Sequence, residues 1–281
     1  MILGRADNKG NEQHLVTTAI NADIHAEIMR RIVAAEQEHD VKVLFAVESG
    51  SRAWGFASPN SDYDVRFIYA HKKAWYLSVD LEERRDVIEY PIVDEIDING
   101  WDIRKALKLF WKSNPTLIEW LQSPIVYVDD GHFASAARAL LPHIASSHKG
   151  IYHYLNMAKG NYRGYLQTAK VPLKKYFYVL RPLLAIKWLE AYDEPAPIEF
   201  EVLRRLIADN PVLDNALSEL VEKKRMSEEK VMGPAIPVIN AFIESELARH
   251  KAFSAGNRKR EVNYDALNEL LRATLNRLEY R

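Results

Sequence analysis

Length, composition and charge exclude several classes of protein. The 281 residues are 48% apolar and 27% charged with a formal net charge of −1, which is typical of a globular chain of one large or two ordinary domains and excludes a disordered one. The absence of cysteine excludes disulfides, thiolate nucleophiles and Cys-ligated zinc or iron–sulfur sites. Because no apolar run predicts a signal peptide or a membrane-spanning helix, we expect a cytoplasmic protein with no membrane partner.

The first half of the chain mixes helix and strand patterns. Residues 1–22 are polar and predict a poorly ordered lead-in. Beyond them, the predicted elements in chain order are a helix over 23–39, strands over 41–47, 63–70, 87–92 and 95–98, and helices over 103–111 and 118–121. This order of a helix, several strands and closing helices predicts a small α+β domain over residues 23–131.

Helical periodicity dominates residues 132–281. The predicted helices cover 132–146, 148–169, 173–192, 199–208, 213–223, 236–251 and 263–279, and prolines separate several of them. The predicted fold class is therefore α+β, with a mixed-sheet domain followed by an all-helical domain. The halves differ in charge, since residues 48–102 carry twelve acidic and six basic side chains, whereas 145–190 carry one acidic and eight basic. Two such surfaces can hold cations and polyphosphate between them.

Two carboxylates open the second predicted strand. Asp62 and Asp64 are separated by one residue, so in a strand their side chains point to the same face. Neighbouring negative charges repel unless a cation lies between them, and hard oxygen ligands suit Mg²⁺ or Mn²⁺. The pair therefore predicts a metal site, with an exposed strand face that begins in a turn as the alternative.

Gly50 and Ser51 follow the first predicted strand. Because glycine lets the backbone approach a ligand closely, free N–H groups and the Ser51 hydroxyl can bind phosphate oxygens there. A turn-rich loop joins this pair to Asp62. Phosphate-binding groups and metal-binding carboxylates are therefore expected at the ends of neighbouring strands.

The order of these motifs resembles a known superfamily. Gly50-Ser51 followed by Asp62-x-Asp64 is similar to the signature of the DNA polymerase beta nucleotidyltransferases. Longer segments resemble its YcgL/RlaP-type branch of RNA-ligase-associated predicted nucleotidyltransferases, namely Gly50-Ser-Arg-Ala-Trp-Gly, Ser61-Asp-Tyr-Asp-Val-Arg, Gly100-Trp-Asp-Ile-Arg-Lys-Ala-Leu and Lys174-Lys-Tyr-Phe-Tyr-Val-Leu-Arg. The resemblance implies a nucleotidyltransferase-type catalytic domain over 23–131, a helical domain over 132–281 that completes the nucleotide and acceptor site, and a functional link to an RNA ligase.

The superfamily uses a third carboxylate, on a later strand beside the first two. Asp97 is the candidate, since it alternates with Ile96 and Ile98 in the last predicted strand. Asp94 and Glu95 at the start of that strand are alternatives. Asp102 is a further alternative, although its position before a predicted helix also suits an N-cap.

By this resemblance, Asp62, Asp64 and Asp97 would bind two Mg²⁺ or Mn²⁺ ions during turnover, and Asp97 could act as a general base. Gly50 and Ser51 would hold the β- and γ-phosphates of the incoming NTP. Two arginines flank these motifs and are candidates either for phosphate binding or for structural ion pairs: Arg52 and Arg66.

The helical half supplies further candidates. Four residues at helical spacing, of which two or three share one face, predict a basic stripe for nucleotide binding, namely Lys174, Lys175, Tyr178 and Arg181. The resemblance favours Lys175 as the contact to the triphosphate, and a solvated stripe is the alternative. The helix over 148–169 mixes tyrosines with cations, a combination that can stack bases and hold phosphates of RNA, although tyrosines at helical spacing are also typical of packing.

These observations predict a metal-dependent nucleotidyltransferase that moves a nucleoside monophosphate from an NTP to an RNA end. Two other hypotheses remain open at this point. The same chemistry could act on a hydroxyl of a protein or a small molecule, or the chain could be a non-catalytic nucleotide-binding or toxin–antitoxin-like module. The preferred NTP and the oligomeric state have no signature in the sequence.

Overall fold

The computed structural model describes residues 20–226, 231–253 and 264–279. Its first helix shows how the local sequence determines where a helix begins. Helix α1 (Ala22–His39) begins after Asn21, whose side-chain oxygen accepts from the N–H groups of Asp23 and Ile24 at 2.8 and 3.5 Å. The predicted helix over 23–39 is thus present, while residues 1–19 of the predicted lead-in lie outside the described residues.

Five strands form a mixed sheet in the order β3-β4-β2-β1-β5. They are β1 (Val41–Ser49), β2 (Tyr63–His71), β3 (Val87–Glu89), β4 (Ile96–Asp102) and β5 (Val126–Asp129). β2 and β4 are parallel, whereas β1–β2, β1–β5 and β3–β4 are antiparallel. β5 was not among the predicted strands, because a four-residue edge strand that pairs only with β1 carries little periodicity of its own.

Of the helices after α1, some pack on one face of the sheet and others build the core of the second half. They are α2 (Gly50–Ala53), α3 (Lys73–Tyr76), α4 (Ile103–Trp111), α5 (Pro115–Leu121), α6 (Phe133–Ile144), α7 (Ser147–Tyr165), α8 (Lys174–Tyr192), α9 (Phe200–Arg204), α10 (Pro211–Met226), α11 (Pro237–Arg249) and α12 (Asp265–Glu279). A 3-10 turn, Arg205–Ile207, extends α9. The α+β class is therefore confirmed.

The sheet is packed between two layers of helices. On one face, Ile28 and Ile32 of α1 share a core with Val43 and Phe67. On the other face, α4, α5, α6 and α12 share a core with Leu44 and other residues of β1 and β2. Since α6 and α12 belong to residues 132–281 but pack on the sheet, the division of the chain between residues 131 and 132 stays a prediction.

Helix α8 is the centre of the second half. Most of its side chains are buried, and α7, α9, α10 and α11 contribute to the same core, as does Phe56 from the loop after α2. A two-stranded antiparallel sheet of β6 (Lys170–Pro172) and β7 (Met232–Pro234) adds to the predicted helices. Among the described helices, none is both long and apolar enough to cross a membrane.

Candidate active site

The end of β1 brings a glycine backbone against a carboxylate. Gly50 has φ +62°, and a Cβ at this position would lie 2.0 Å from Oδ2 of Asp64. Only glycine therefore lets Asp64 lie against the first turn of α2. The β1–β2 register, which pairs Ser49 with Asp64, sets this contact and places Ser51 one residue beyond it.

Asp64 and Asp97 lie side by side on parallel strands. They are register partners in the β2–β4 pair, and Arg66 contacts both carboxylates. Its Nη2 donates to Oδ2 of Asp97 at 2.7 Å and to Oδ1 of Asp64 at 3.2 Å, and its Nη1 donates to the Asp97 carbonyl oxygen at 2.8 Å. Asn99 donates to Oδ1 of Asp97 at 2.5 Å. The pair is thus oriented and partly neutralised by its own strands, while both carboxylates remain partly exposed.

The alternatives to Asp97 lie elsewhere. Asp94 and Glu95 occupy a turn before β4 with φ of +52° and +62°, and Asp94 pairs with Arg31 of α1 at 3.1 Å. Asp102 lies at the opposite end of β4, where it caps α4 through the N–H of Arg104 at 2.8 Å. Of the four candidates, Asp97 is the register partner of Asp64.

Arg52 anchors the turn that leads into β2. Its Nη2 donates to the carbonyl oxygen of Ser61 at 2.5 Å and its Nε to that of Asp62 at 3.2 Å. The guanidinium also lies 3.8 Å from the centre of the Tyr63 ring. Arg52 therefore links α2 to the backbone at Asp62, which is a structural role that is compatible with, but separate from, the predicted phosphate contact.

The carboxylates can be tested for their fit to a metal ion. Asp62, Asp64 and Asp97 supply the hard oxygen ligands that Mg²⁺ prefers. Within the described ranges, no group of three or more His, Asp or Glu side chains is arranged to hold a metal ion, and Arg66 bridges two of the three carboxylates. The chemistry of the donors therefore fits a divalent ion, although their arrangement is that of an ion-paired couple.

Glu48 is a site residue that the sequence analysis missed. It is fully buried at the end of β1, where Oε1 accepts from the Asp64 N–H at 2.9 Å and Oε2 from the Tyr127 hydroxyl at 2.6 Å. Burial raises the pKa of Glu48 to about 7. An acidic residue at the end of an apolar strand, directly before Ser49 and Gly50, is the signal that could have identified it. Glu48 holds the backbone from which the Asp64 side chain extends.

The first two turns of α8 face the loop that follows α2. Lys175 lies 4.2 and 4.7 Å from the ring centres of Tyr165 and Tyr178, and Tyr178 packs edge-on against Trp54 with centroids 5.4 Å apart. Trp54 is the C-terminal cap of α2. Burial, together with the charge of neighbouring Lys174, lowers the pKa of Lys175. The predicted contacts Lys175 and Tyr178 are therefore connected to the Gly50 loop through aromatic rings.

Arg181 is separated from these α8 residues by burial. It is 2% exposed, its Nη1 donates to Oε1 of Glu119 at 2.9 Å and its Nε to the carbonyl oxygen of Ile198 at 3.0 Å. Its guanidinium lies 4.8 Å from the Trp54 ring centre. Arg181 is thus buried against the Trp54 ring and does not lie on the partly exposed surface that carries Lys175.

Lys224 is a second residue that sequence reasoning missed. It is 4% exposed, and its Nζ donates to the hydroxyls of Ser58 and Ser61 at 3.1 and 3.3 Å. Neighbouring Arg225 donates to the Gly55 carbonyl oxygen at 3.2 Å. The end of α10 therefore contacts and stabilises the turn before Asp62. Lys224 and Ser61 are 163 residues apart in the sequence, so no local pattern could have predicted their contact.

Comparisons with known proteins identify relatives of the chain. Residues 24–273 match the RlaP family, described as "RNA repair pathway DNA polymerase beta family". The "uncharacterized protein YcgL" of Bacillus subtilis (strain 168) is 46% identical over 252 residues, which cover 90% of this chain and 95% of the relative. A nucleotidyltransferase-like protein from Exiguobacterium sibiricum aligns over 87% of this chain and 80% of its own, with 12% identity and a TM-score of 0.30, a similarity too low to carry an argument.

Proposed function

The chain belongs to the RlaP family, as the resemblance of its motifs indicated, and on this basis we propose that it is a metal-dependent nucleotidyltransferase. The reaction moves a nucleoside monophosphate from an NTP to an acceptor hydroxyl at an RNA end. The observation that supports it most is the contact of the Gly50 backbone with Asp64, whose strand partner is Asp97. The loop that we propose to bind phosphate therefore lies at the same edge of the sheet as two carboxylates.

The proposed reaction has a simple balance. The acceptor oxygen attacks the α-phosphorus, a new oxygen–phosphorus bond forms, and the bond to the β-phosphate oxygen breaks to release pyrophosphate. Asp97 accepts the proton of the acceptor hydroxyl. Asp62, Asp64 and Asp97 would hold Mg²⁺ or Mn²⁺, ions that neutralise phosphate charge and lower the pKa of an acceptor hydroxyl.

The remaining residues bind and orient the substrate. Backbone N–H groups at Gly50 and the Ser51 hydroxyl would hold the terminal phosphates of the NTP. Lys175, held between two tyrosine rings, would donate to the triphosphate from the opposite side. Arg66 keeps Asp64 and Asp97 in a fixed relative orientation, which reduces the reorganisation needed when the substrate binds.

A binding and turnover experiment tests this function. Each NTP is titrated with and without Mg²⁺ against the unmodified protein and an Asp62→Asn/Asp64→Asn variant, and RNA with labelled NTP is then added. We expect metal-dependent binding and label transfer to RNA, both lost in the variant. The matched control is Asp94→Asn/Glu95→Gln, which removes two charges from the turn before β4 and should keep both activities.

Each other outcome selects a different function. Nucleotide binding with label on a protein or a small molecule would retain the chemistry and replace the acceptor. Binding without transfer to any acceptor would favour a non-catalytic nucleotide-binding module. The absence of metal-dependent binding for all four NTPs would contradict the nucleotidyltransferase assignment.

A further inference from the structure

Asp62 lies one residue before β2, so strand pairing does not fix its position directly. Within β2, pairing with β4 begins at Tyr63 and pairing with β1 begins at Asp64. Asp64 is held further by Glu48, which accepts from its N–H, and by Arg66, which donates to its carboxylate. The position of Asp62 depends instead on the segment that leads up to it.

The segment before Asp62 is a turn that contains two buried serines. The N–H of Ser61 donates to the carbonyl oxygen of Ser58 at 3.0 Å, and the N–H of Ser58 donates to Oγ of Ser61 at 3.0 Å. Pro59, the second residue, restricts φ to a value that suits a turn. Because both serines are buried, their hydroxyls need hydrogen-bond partners within the protein. We call residues 58–61 the Ser58–Ser61 turn.

Lys224 of α10 provides hydrogen bonds to both hydroxyls of this turn. Its Nζ donates to Oγ of Ser58 at 3.1 Å and to Oγ of Ser61 at 3.3 Å. The lysine is itself 4% exposed, and an ammonium group that leaves water needs acceptors where it is buried. Since a charged donor forms stronger hydrogen bonds than a neutral one, Lys224 holds the turn firmly against the end of α10.

The chain between α2 and the Ser58–Ser61 turn is also packed into the second half of the protein. The Phe56 ring stacks on that of Phe177 in α8, with centroids 4.2 Å apart. Arg225, the neighbour of Lys224, donates to the Gly55 carbonyl oxygen at 3.2 Å. The connection between the Gly50 loop and Asp62 therefore follows the position of the helical core.

We propose that Lys224 is a positioning residue, which acts through the Ser58–Ser61 turn to place Asp62 for the binding of a divalent cation. This inference rests on the proposed function, in which Asp62 binds Mg²⁺ or Mn²⁺. Arg52 of α2 holds the carbonyl oxygens of Ser61 and Asp62, while Lys224 holds the Ser61 hydroxyl. The approach to Asp62 is thus fixed from both halves of the chain, and the helical half contributes to cation affinity without supplying a ligand.

Amide hydrogen exchange, resolved by NMR in the absence of metal and nucleotide, tests whether Lys224 holds the turn. Lys224→Met keeps most of the side-chain volume and removes the charged donor. Lys223→Met is the matched control, because it removes the same charge from an exposed residue in the same turn of α10. We expect the Ser61 N–H to exchange about tenfold faster in Lys224→Met alone, since local opening breaks fewer hydrogen bonds. Exchange of the Asp64 N–H, which Glu48 holds, should be unchanged.

Cation affinity distinguishes a positioning role from a contribution to stability alone. Mn²⁺ is titrated against each protein, alone and with α,β-methylene-ATP, and free Mn²⁺ is measured by electron paramagnetic resonance. We expect Lys224→Met to weaken Mn²⁺ binding about tenfold or more, the effect typical of residues that orient metal ligands. Lys223→Met should bind Mn²⁺ as the unmodified protein does, and Lys224→Arg, which keeps the charge and the donors, should recover part of the affinity. The Mg²⁺ concentration for half-maximal transfer should rise in parallel.

A second variant covers the case in which Lys224→Met does not fold. Ser61→Ala removes an acceptor of the Lys224 ammonium with a small change of volume, and it should change the exchange rate and the Mn²⁺ affinity in the same directions. The inference is wrong if the folded variants keep Mn²⁺ affinity within twofold of the unmodified protein, even where exchange is faster, because Lys224 is then structural only. It is also wrong if Lys223→Met has an equal effect.

The same measurements separate this inference from the proposed function. If Lys224→Met transfers nucleotide with an unchanged Mg²⁺ requirement, the positioning role is wrong and the enzyme assignment stands. If Mn²⁺ binding depends on Lys224 but the unmodified protein transfers no nucleotide to any acceptor, the positioning role stands and the enzyme assignment is wrong. An unmodified protein that binds no Mn²⁺ under either condition would contradict both the metal dependence and the positioning role.

Discussion

The two ends of the β2–β4 strand pair carry carboxylates in opposite situations. At one end, Asp64 and Asp97 are register partners, both partly exposed and both held by Arg66. At the other end, Asp102 is 1% exposed, accepts from the Tyr76 hydroxyl at 2.7 Å and caps α4. The same two strands therefore present one partly exposed pair of carboxylates and one buried carboxylate with a structural role.

The difference shows why an acidic residue on a strand is not by itself a functional residue. Asp102 has its hydrogen bonds supplied by the fold, and no surface is left from which a substrate could reach it. Asp64 and Asp97 retain exposed oxygen atoms beside a glycine backbone, where a phosphate group can approach. Both ends carry negative charge, but a substrate can reach the carboxylates at only one of them.

Neutralising one carboxylate at each end should give the largest contrast. Asp97→Asn removes the proposed general base and metal ligand, so kcat/KM for nucleotide transfer should fall about 10³-fold while the fold is retained. Asp102→Asn should leave kcat/KM within about threefold and, near pH 4.5, lower the free energy of unfolding by about 1 kcal/mol, since one hydrogen bond of the cap is weakened. Steady-state kinetics and urea unfolding measure both. A folded Asp102→Asn protein without activity would reverse the assignment of the two ends.

Two glycine substitutions test whether the close approach of Gly50 to Asp64 is needed for activity. In Gly50→Ala, the new Cβ would meet the Asp64 carboxylate, so Asp64 must move and kcat/KM should fall about 10²-fold. Gly55→Ala is the matched control, because Gly55 has φ +87° but no atom within 4 Å of its Cβ position. Both variants should lose about 1 kcal/mol of stability from backbone strain, and only Gly50→Ala should lose activity. Equal activity in the two variants would show that the close approach to Asp64 is not needed.

Local patterns predicted the elements whose own periodicity is strong. Helix α4 has the predicted bounds of 103–111, and the alternation around Asp97 placed it on a strand. The strands β5, β6 and β7 were not predicted, because segments of three or four residues are defined by their partners. Lys170 of β6 pairs with Pro234 of β7. These residues are far apart in the sequence, so a local pattern cannot predict that they pair.

The same limit applies to the site. The contact of Gly50 with Asp64 could be anticipated, since both follow from strand ends in one motif. The burial of Arg181 could not, because helical spacing gives the face of a residue but not whether another helix covers it. Here Glu119 from α5 pairs with Arg181 across 62 residues of sequence. Charge counts similarly predicted a basic half without indicating which cations remain unpaired.

Asp102, at the buried end of the β2–β4 pair, should make the free energy of unfolding depend on pH. Burial raises the pKa of Asp102 from its usual 3.8 to about 6. The folded state therefore holds this proton more tightly than the unfolded chain, so the contribution of Asp102 to the free energy of unfolding is greatest below about pH 4 and is lost as the pH rises through about 6. At about 1.36 kcal/mol for each pKa unit, the loss is at most about 3 kcal/mol.

Urea unfolding at several pH values between about 4.5 and 7 checks this, with Asp102→Asn as the reference that lacks the titrating group. Because all other groups are common to both proteins, the difference in their free energies of unfolding isolates Asp102, and it should shift in favour of the variant as the pH rises. The Tyr76 hydroxyl lowers the pKa of Asp102 by donating to it. Tyr76→Phe should consequently move the transition to higher pH. A difference that stays constant across this range would mean that Asp102 is as accessible to water as the carboxylates at the other end.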